Sequence, residues 1–201
     1  KVAVTNSCGT VNSSVHQLIV KKIPVILNQP VSAQLCKGSP VAVTADVTGA
    51  DTYSWTKNNI SIGNSTTNVT ISSAQLIDGG TYKYTVTNAC GATISNEAVI
   101  TVKAKPTIIS VTQGATICQG ASKGLAVVAN GNNDNSLTYQ WSLNGSPIAG
   151  ATAASYSIVS FLASNAGTYS VAVTNSCGTT TSTSAAADCI LSLSSAPTIT
   201  S

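Results

Sequence analysis

Six cysteines, one histidine and six carboxylates are the side chains in this 201-residue chain whose chemistry goes beyond packing and turn formation. A serine nucleophile needs a base held against it, and His16 is the sole imidazole; it reads as an exposed strand residue. The carboxylates Asp46, Asp51, Asp78, Glu97, Asp134 and Asp188 are spread singly along the chain. They form no obvious pair for acid–base work. No Cys-x-x-Cys pair occurs, and one histidine cannot complete a Cys/His zinc site of ordinary spacing. No Gly-rich segment has the spacing of a phosphate loop. The expectation is a chain that is not an enzyme and carries no cofactor. One polar cluster stands out, Asn130-Gly-Asn-Asn-Asp134-Asn135. Its hard oxygens make Asp134, Asn132 and Asn135 a candidate calcium set. The alternative is a plain solvated loop, since the cluster has one carboxylate and lacks the EF-hand spacing.

The elements available to position these groups are strands. Hydrophobic residues make up 43% of the chain and charged residues only 7%, against roughly a quarter charged in ordinary soluble domains. Thr, Val, Ser, Ala and Asn dominate, a mixture suited to pleated surfaces and turns. All nine cations are lysines, scattered apart from Lys21-Lys22. Without an arginine fork for phosphate, nucleic acid is not an expected partner. No apolar run approaches ~18 residues, so no membrane span is expected. Apolar residues alternate with polar ones at Val41, Val43, Ala45 and Val47, at Tyr82, Tyr84 and Val86, at Ala98, Ile100 and Val102, and at Leu125, Val127 and Ala129. Period two in short runs, broken by Gly, Asn and Ser, predicts half-buried antiparallel strands.

The chain also repeats itself. Val2-Ala-Val-Thr-Asn-Ser-Cys8-Gly-Thr recurs unchanged from Val171 to Thr179, with Cys177 in the place of Cys8. A third copy runs Tyr84-Thr-Val-Thr-Asn-Ala-Cys90-Gly-Ala. Cys36-Lys-Gly-Ser matches Cys118-Gln-Gly-Ala, Tyr53-Ser-Trp55 matches Tyr139-Gln-Trp141, and Asp78-Gly-Gly-Thr-Tyr82 matches Asn165-Ala-Gly-Thr-Tyr169. The period is a little above eighty residues. Such a period marks one compact unit per copy.

These residues resemble a known family. Trp55 and Trp141 stand where immunoglobulin-like domains keep a core tryptophan on the third strand, and Tyr82 and Tyr169 where they keep the tyrosine corner. The string Cys-x-Gly, Tyr-x-Trp, Gly-Thr-Tyr and Val-Thr-Asn-x-Cys-Gly is similar to the immunoglobulin-like repeats of large Bacteroidota cell-surface adhesins. The resemblance implies an all-β chain of tandem antiparallel sandwiches. Residues 1–22 would be the last two strands, an F–G hairpin, of a preceding domain. Residues 23–103 and 104–192 would be complete domains, with a linker or opening strand at 193–201. The hairpin at 1–22 needs the rest of a sandwich, supplied by the same chain or by another copy.

Cysteines in so weakly charged a chain point to an oxidising, extracellular compartment and to disulfides among Cys8, Cys36, Cys90, Cys118, Cys177 and Cys189. None occupies the usual immunoglobulin positions, which fall near Ala45 and Tyr84 and near Ala129 and Val171. In the resembled fold, strands B and F run the same way, so Cys36 and Cys90 would lie at opposite ends of a sandwich, roughly 25 Å apart. A disulfide needs Cα atoms within about 7 Å. Tandem packing of the resembled kind implies Cys36–Cys177 between domains and Cys118–Cys189 within the last one. The alternative keeps both bonds within domains, as Cys36–Cys90 and Cys118–Cys177. The functional expectation is a structural or adhesive surface repeat whose partners are neighbouring immunoglobulin-like domains and a surface protein or glycan. The alternative is a carbohydrate-binding accessory module of a secreted enzyme.

Overall fold

The computed structural model describes residues 1–63, 65–182 and 189–194. They form two compact units interleaved along the chain. The first takes in residues 1–31, 43–69 and 82–97, and the second takes in residues 32–42, 70–81 and those from 98 onward.

In the first unit the predicted alternation becomes a ladder. Strand Thr52–Lys57 pairs antiparallel with Gly80–Asn88, in a register running from Tyr82 opposite Lys57 to Thr87 opposite Thr52. The far end of Gly80–Asn88 turns back through Ala89-Cys90 and pairs with Gly91–Ile94. Val25–Asn28 pairs with Asp46–Thr48. Trp55 and Tyr84 are directly opposite each other and both fully buried, their rings stacked 4.6 Å apart. The Trp55 Nε1–H donates to the Thr66 carbonyl at 3.0 Å, so the indole is buried with its polar edge satisfied.

The first unit also holds the hairpin Ala3–Asn6 with Gly9–Asn12, in the same register that the later copies use. Here the prediction needs correcting. Two full strands were expected up to residue 20, but residues 13–24 form no strand. The reason is visible in the second unit, where the matching segment Ala98–Lys103 is held by pairing with Ala33–Cys36. No strand pairs with residues 15–20 among the described residues, and an unpaired strand leaves its amides to water.

In the second unit one sheet has the strand order Ala115–Cys118, Cys189–Ser194, Gly167–Asn175, Thr138–Leu143, Ser146–Pro147, with Gly178–Thr181 also pairing Gly167–Asn175. A second sheet has the order Thr107–Val111, Lys123–Asn130, Ser155–Ile158. Their inward side chains close on one core: Leu125, Val127 and Ile158 from one sheet, Trp141, Tyr169, Val171 and Val173 from the other. Phe161, wholly buried, belongs to the same core. Trp141 repeats the indole arrangement, donating to the Ala153 carbonyl at 3.0 Å. The Tyr169 hydroxyl donates to the Asn165 carbonyl at 2.8 Å, the tyrosine corner that its motif predicts.

Two pairs are parallel, where the sequence suggested only antiparallel ones: Ala33–Cys36 with Ala98–Lys103, and Ala115–Cys118 with Cys189–Ser194. The second pair overturns the expected Cys118–Cys189 bond. Cys118 is opposite Ser194, whereas Cys189 is opposite Tyr169 at the other end of its strand. Five residues of parallel strand put the two roughly 16 Å apart, and Cys118 is free. Three residues separate Ile94 from Ala98, but seven separate Thr181 from Cys189. That insertion shifts the alignment on which the pairing rested.

Candidate functional site

Cys36 ends strand Ala33–Cys36, beside its register partner Lys103. The chain then turns sharply because Gly38 adopts φ +91°, a conformation costly for residues with a Cβ. Gly38 N–H donates to the Ala74 carbonyl at 2.7 Å and Ser39 N–H to the Cys36 carbonyl at 3.0 Å. Cys177 lies in the turn between Gly167–Asn175 and Gly178–Thr181. There the Asn175 side chain accepts the Cys177 N–H at 2.9 Å. The two turns bring the Cα atoms to 5.5 Å and the sulfurs into a disulfide. The expected Cys36–Cys177 pairing is therefore present, and both cysteines belong to the second unit. The alternative Cys36–Cys90 and Cys118–Cys177 set is absent: Cys8, Cys90 and Cys118 are free and exposed.

Beside the bond, the segment 102–106 is pinned at every carbonyl. Val102 accepts from the Asn133 amide at 2.9 Å, Lys103 from Lys37 N–H at 2.7 Å, Ala104 from the Asn175 amide at 2.7 Å, Lys105 from the Asn132 amide at 2.6 Å and Pro106 from the Thr180 hydroxyl at 2.6 Å. A connecting segment is ordinarily left to water and is mobile. Five consecutive acceptors bonded to fixed partners hold this one in a single path.

Asp134 completes the construction. Its side chain is 5% exposed. One oxygen accepts Ser136 N–H at 3.1 Å; the other accepts Ser176 N–H at 3.0 Å and the Ser176 hydroxyl, with Lys103 Nζ at 3.7 Å. The Ser176 hydroxyl, then the Ser176 and Ser136 amides and more weakly Lys103, pull its pKa down to about 2. The carboxylate is thus engaged by donors from within the chain. Asn132 gives its amide to Lys105 and Thr107, and Asn135 is exposed. Among the described residues no group of three or more His, Cys, Asp or Glu could hold a metal ion.

The other sequence candidates are dispersed. His16 is exposed, with Nε2 3.5 Å from the Ser14 hydroxyl. Both tryptophans are wholly buried, which removes them as a stacking platform for a sugar. The residues that sequence reasoning overlooked are Asn175, Ser176 and Lys103. The signal was present, because the Asn-x-Cys-Gly motif occurs three times and its asparagine does the same work each time. Asn6 and Asn88 accept the N–H of Cys8 and Cys90 at 2.8 Å, as Asn175 does for Cys177. Among the described residues no helix is long and apolar enough to cross a membrane.

No known family model matches the sequence, and no characterised protein matches it. Solved structures do match in shape. A three-domain fragment of titin, I67–I69, superposes with a TM-score of 0.65 at 16% identity over 88% of this chain and 67% of that one. The fold is immunoglobulin-like. The two-domain IG1+IG2 fragment of DIP-gamma gives a TM-score of 0.69 at 15% identity, covering 87% of this chain and 99% of that one. Immunoglobulin domains 1–4 of Sidekick-1 give 0.61 at 21% identity, and this chain spans 49% of that fragment. At these identities the likeness concerns the immunoglobulin-like fold.

Proposed function

We propose that this chain is a run of immunoglobulin-like repeats, at 23–103 and 104–192, from an extracellular bacterial surface protein, and that it serves as a non-catalytic structural or adhesive spacer. The observation that carries this reading is the stapled segment at 102–106. It falls at the boundary between the two repeats. Five bonded carbonyls and a disulfide hold this segment in place within the second unit. The groove beside the disulfide is open and lined by Lys37, Gln75, Lys105 and Asn132, with no nucleophile paired to a base. A disulfide suits an oxidising, extracellular setting. The repeat motifs and their similarity to Bacteroidota adhesin repeats support the bacterial surface.

The proposed partners are neighbouring repeats and a protein ligand on an opposing surface. The test is adhesion and reach together. Cells displaying the chain between a surface anchor and a reporter tag should hold the tag farther from the wall than cells displaying the Cys36→Ser variant. A glycan array probed with the same chain should show no selective sugar. Selective glycan capture with no effect of the variant on reach would replace the spacer reading with the accessory-module one.

A further inference from the structure

Cys36 and Cys177, joined by a disulfide and both half-buried, line an open groove of about 670 Å³ together with Lys37, Gln75, Lys105 and Asn132. Every residue lining the groove belongs to the second unit. The bond thus borders solvent, whereas Trp141 and the core around it lie inside.

The groove carries positive charge beside each cysteine. Lys37 follows Cys36 directly. Lys105 reaches the other side: a Cβ placed on Gly178, the residue after Cys177, would lie 2.8 Å from Lys105 Cε and 3.3 Å from its Cγ. The bare glycine lets the lysine stem lie against the hairpin. No Asp or Glu lines the groove. Among the described residues the ion pairs use other lysines, Lys21, Lys83 and Lys103. The carboxylates on adjoining elements are engaged elsewhere: Asp134 by Ser176, Ser136 and Lys103, and Asp78 by the Gln75 N–H at 2.7 Å. Two ammonium groups without a counter-charge attract anions and stabilise a thiolate formed beside them.

We propose that this groove is a thiol–disulfide exchange site selective for anionic low-molecular-mass thiols, of which glutathione, with its two carboxylates, is an example. The exchange occurs in the folded chain. An incoming thiolate bonds to one cysteine sulfur, the Cys36–Cys177 bond breaks, and the other cysteine leaves as a thiolate; whichever leaves, a lysine is its neighbour. A second low-mass thiolate attacks the sulfur of the first, freeing the remaining cysteine. The protein disulfide gains two electrons and two protons, and two low-mass thiols become one disulfide. The proposal goes beyond the spacer reading: it needs the bond, and not what the repeats adhere to.

The test is reduction of the full chain at fixed pH and low ionic strength, with Cys8, Cys90 and Cys118 capped beforehand by N-ethylmaleimide. Two probes differ in charge: thioglycolate, whose thiolate form is doubly negative, and cysteamine, whose ammonium cancels its thiolate. Newly formed thiols at Cys36 and Cys177 are trapped with iodoacetamide and counted by mass. The rate ratio of the two probes is taken for the parent and for the Lys37→Gln/Lys105→Gln variant, so that the probes' intrinsic reactivities cancel. The parent's ratio should exceed the variant's by about tenfold, the order expected for unit charges a few ångströms apart in water. It should fall toward the variant's value at about 1 M salt. Equal ratios, or a parent ratio that salt leaves unchanged, overturn the proposal. So does a reduction rate that does not rise with thiol concentration, because unfolding is then what opens the bond. The salt series uses the parent alone and decides the matter even where the variant misfolds. Peptide mapping before reduction separates the two readings. With the Cys36–Cys177 bond present and the ratios equal, only the exchange site fails; with the bond missing, the staple behind the spacer reading fails too.

Discussion

Pulling the chain by its two ends should extend it far less when the Cys36–Cys177 bond is closed than when it is open. The bond closes a loop of 141 residues. Extended backbone contributes at most ~3.3–3.6 Å per residue, so the loop holds back about 470–510 Å. With the bond intact the pull travels through the roughly 60 residues outside the loop, giving about 200–215 Å at full extension. Trp55 and Trp141, the centres of both cores, lie inside the loop and are shielded from the force. The perturbation is dithiothreitol or the Cys36→Ser variant, and the assay is single-molecule stretching through cysteine-free terminal handles. The reduced chain should gain the full ~500 Å in additional unfolding steps. The same substitution removes ~5 kcal/mol of loop-closure stabilisation by the chain-entropy estimate, visible as a lower melting temperature. Identical step lengths with and without reductant would refute the reasoning.

Three further perturbations follow from the buried groups. Asp134 has its pKa lowered to about 2 in the fold, so its contribution to stability is present above the unfolded value near 3.8 and is lost as the pH falls through 2; the Asp134→Asn variant should be less stable at neutral pH and should lose that acid-side dependence in a pH series of thermal melts. The Tyr84 hydroxyl is buried without a partner, and burial, with a smaller effect of Tyr53, pushes its pKa up to about 12. Its raised value favours the folded state fully below pH 10, a contribution lost as the pH rises through 12. Tyr84→Phe removes an unsatisfied group whose burial costs ~1–3 kcal/mol, so urea unfolding should show a stability equal to or above that of the parent, and a clear loss would contradict the orphan hydroxyl. Trp141→Ala should cost ~3–5 kcal/mol in the same assay, because the indole is wholly buried and its N–H is bonded.

Much of the fold was legible because alternation is a local signal. Leu125 and Val127, or Tyr82, Tyr84 and Val86, declare their face of a strand by position alone, and the structure buries every one of them. The Cys36–Cys177 pairing was accessible because the repeat fixes which turn each cysteine occupies, and the resembled sandwich fixes which ends meet. What stayed hidden depended on register across distant segments. The parallel pairing of Ala33–Cys36 with Ala98–Lys103 has no local signature. The longer connection before Cys189 displaced its alignment with the first repeat by several positions, which produced the mistaken Cys118–Cys189 pair. Residues 15–20 look like a strand because their apolar pattern does, yet a strand forms only where a neighbour accepts its hydrogen bonds. From its loop alone, rich in oxygens, Asp134 reads as a cation ligand. The distance in sequence to Ser176 and Lys103 concealed the donors that occupy it.

The proposed mechanical role depends on which cysteines are joined. Non-reducing digestion of the air-oxidised chain with trypsin, followed by cleavage at Asp188 to separate Cys177 from Cys189, reads this directly by mass spectrometry. The expected product is the 23–37 peptide bound to the fragment carrying Cys177. Finding it bound instead to the 84–103 peptide, which carries Cys90, would contradict the staple and the mechanical role built on it.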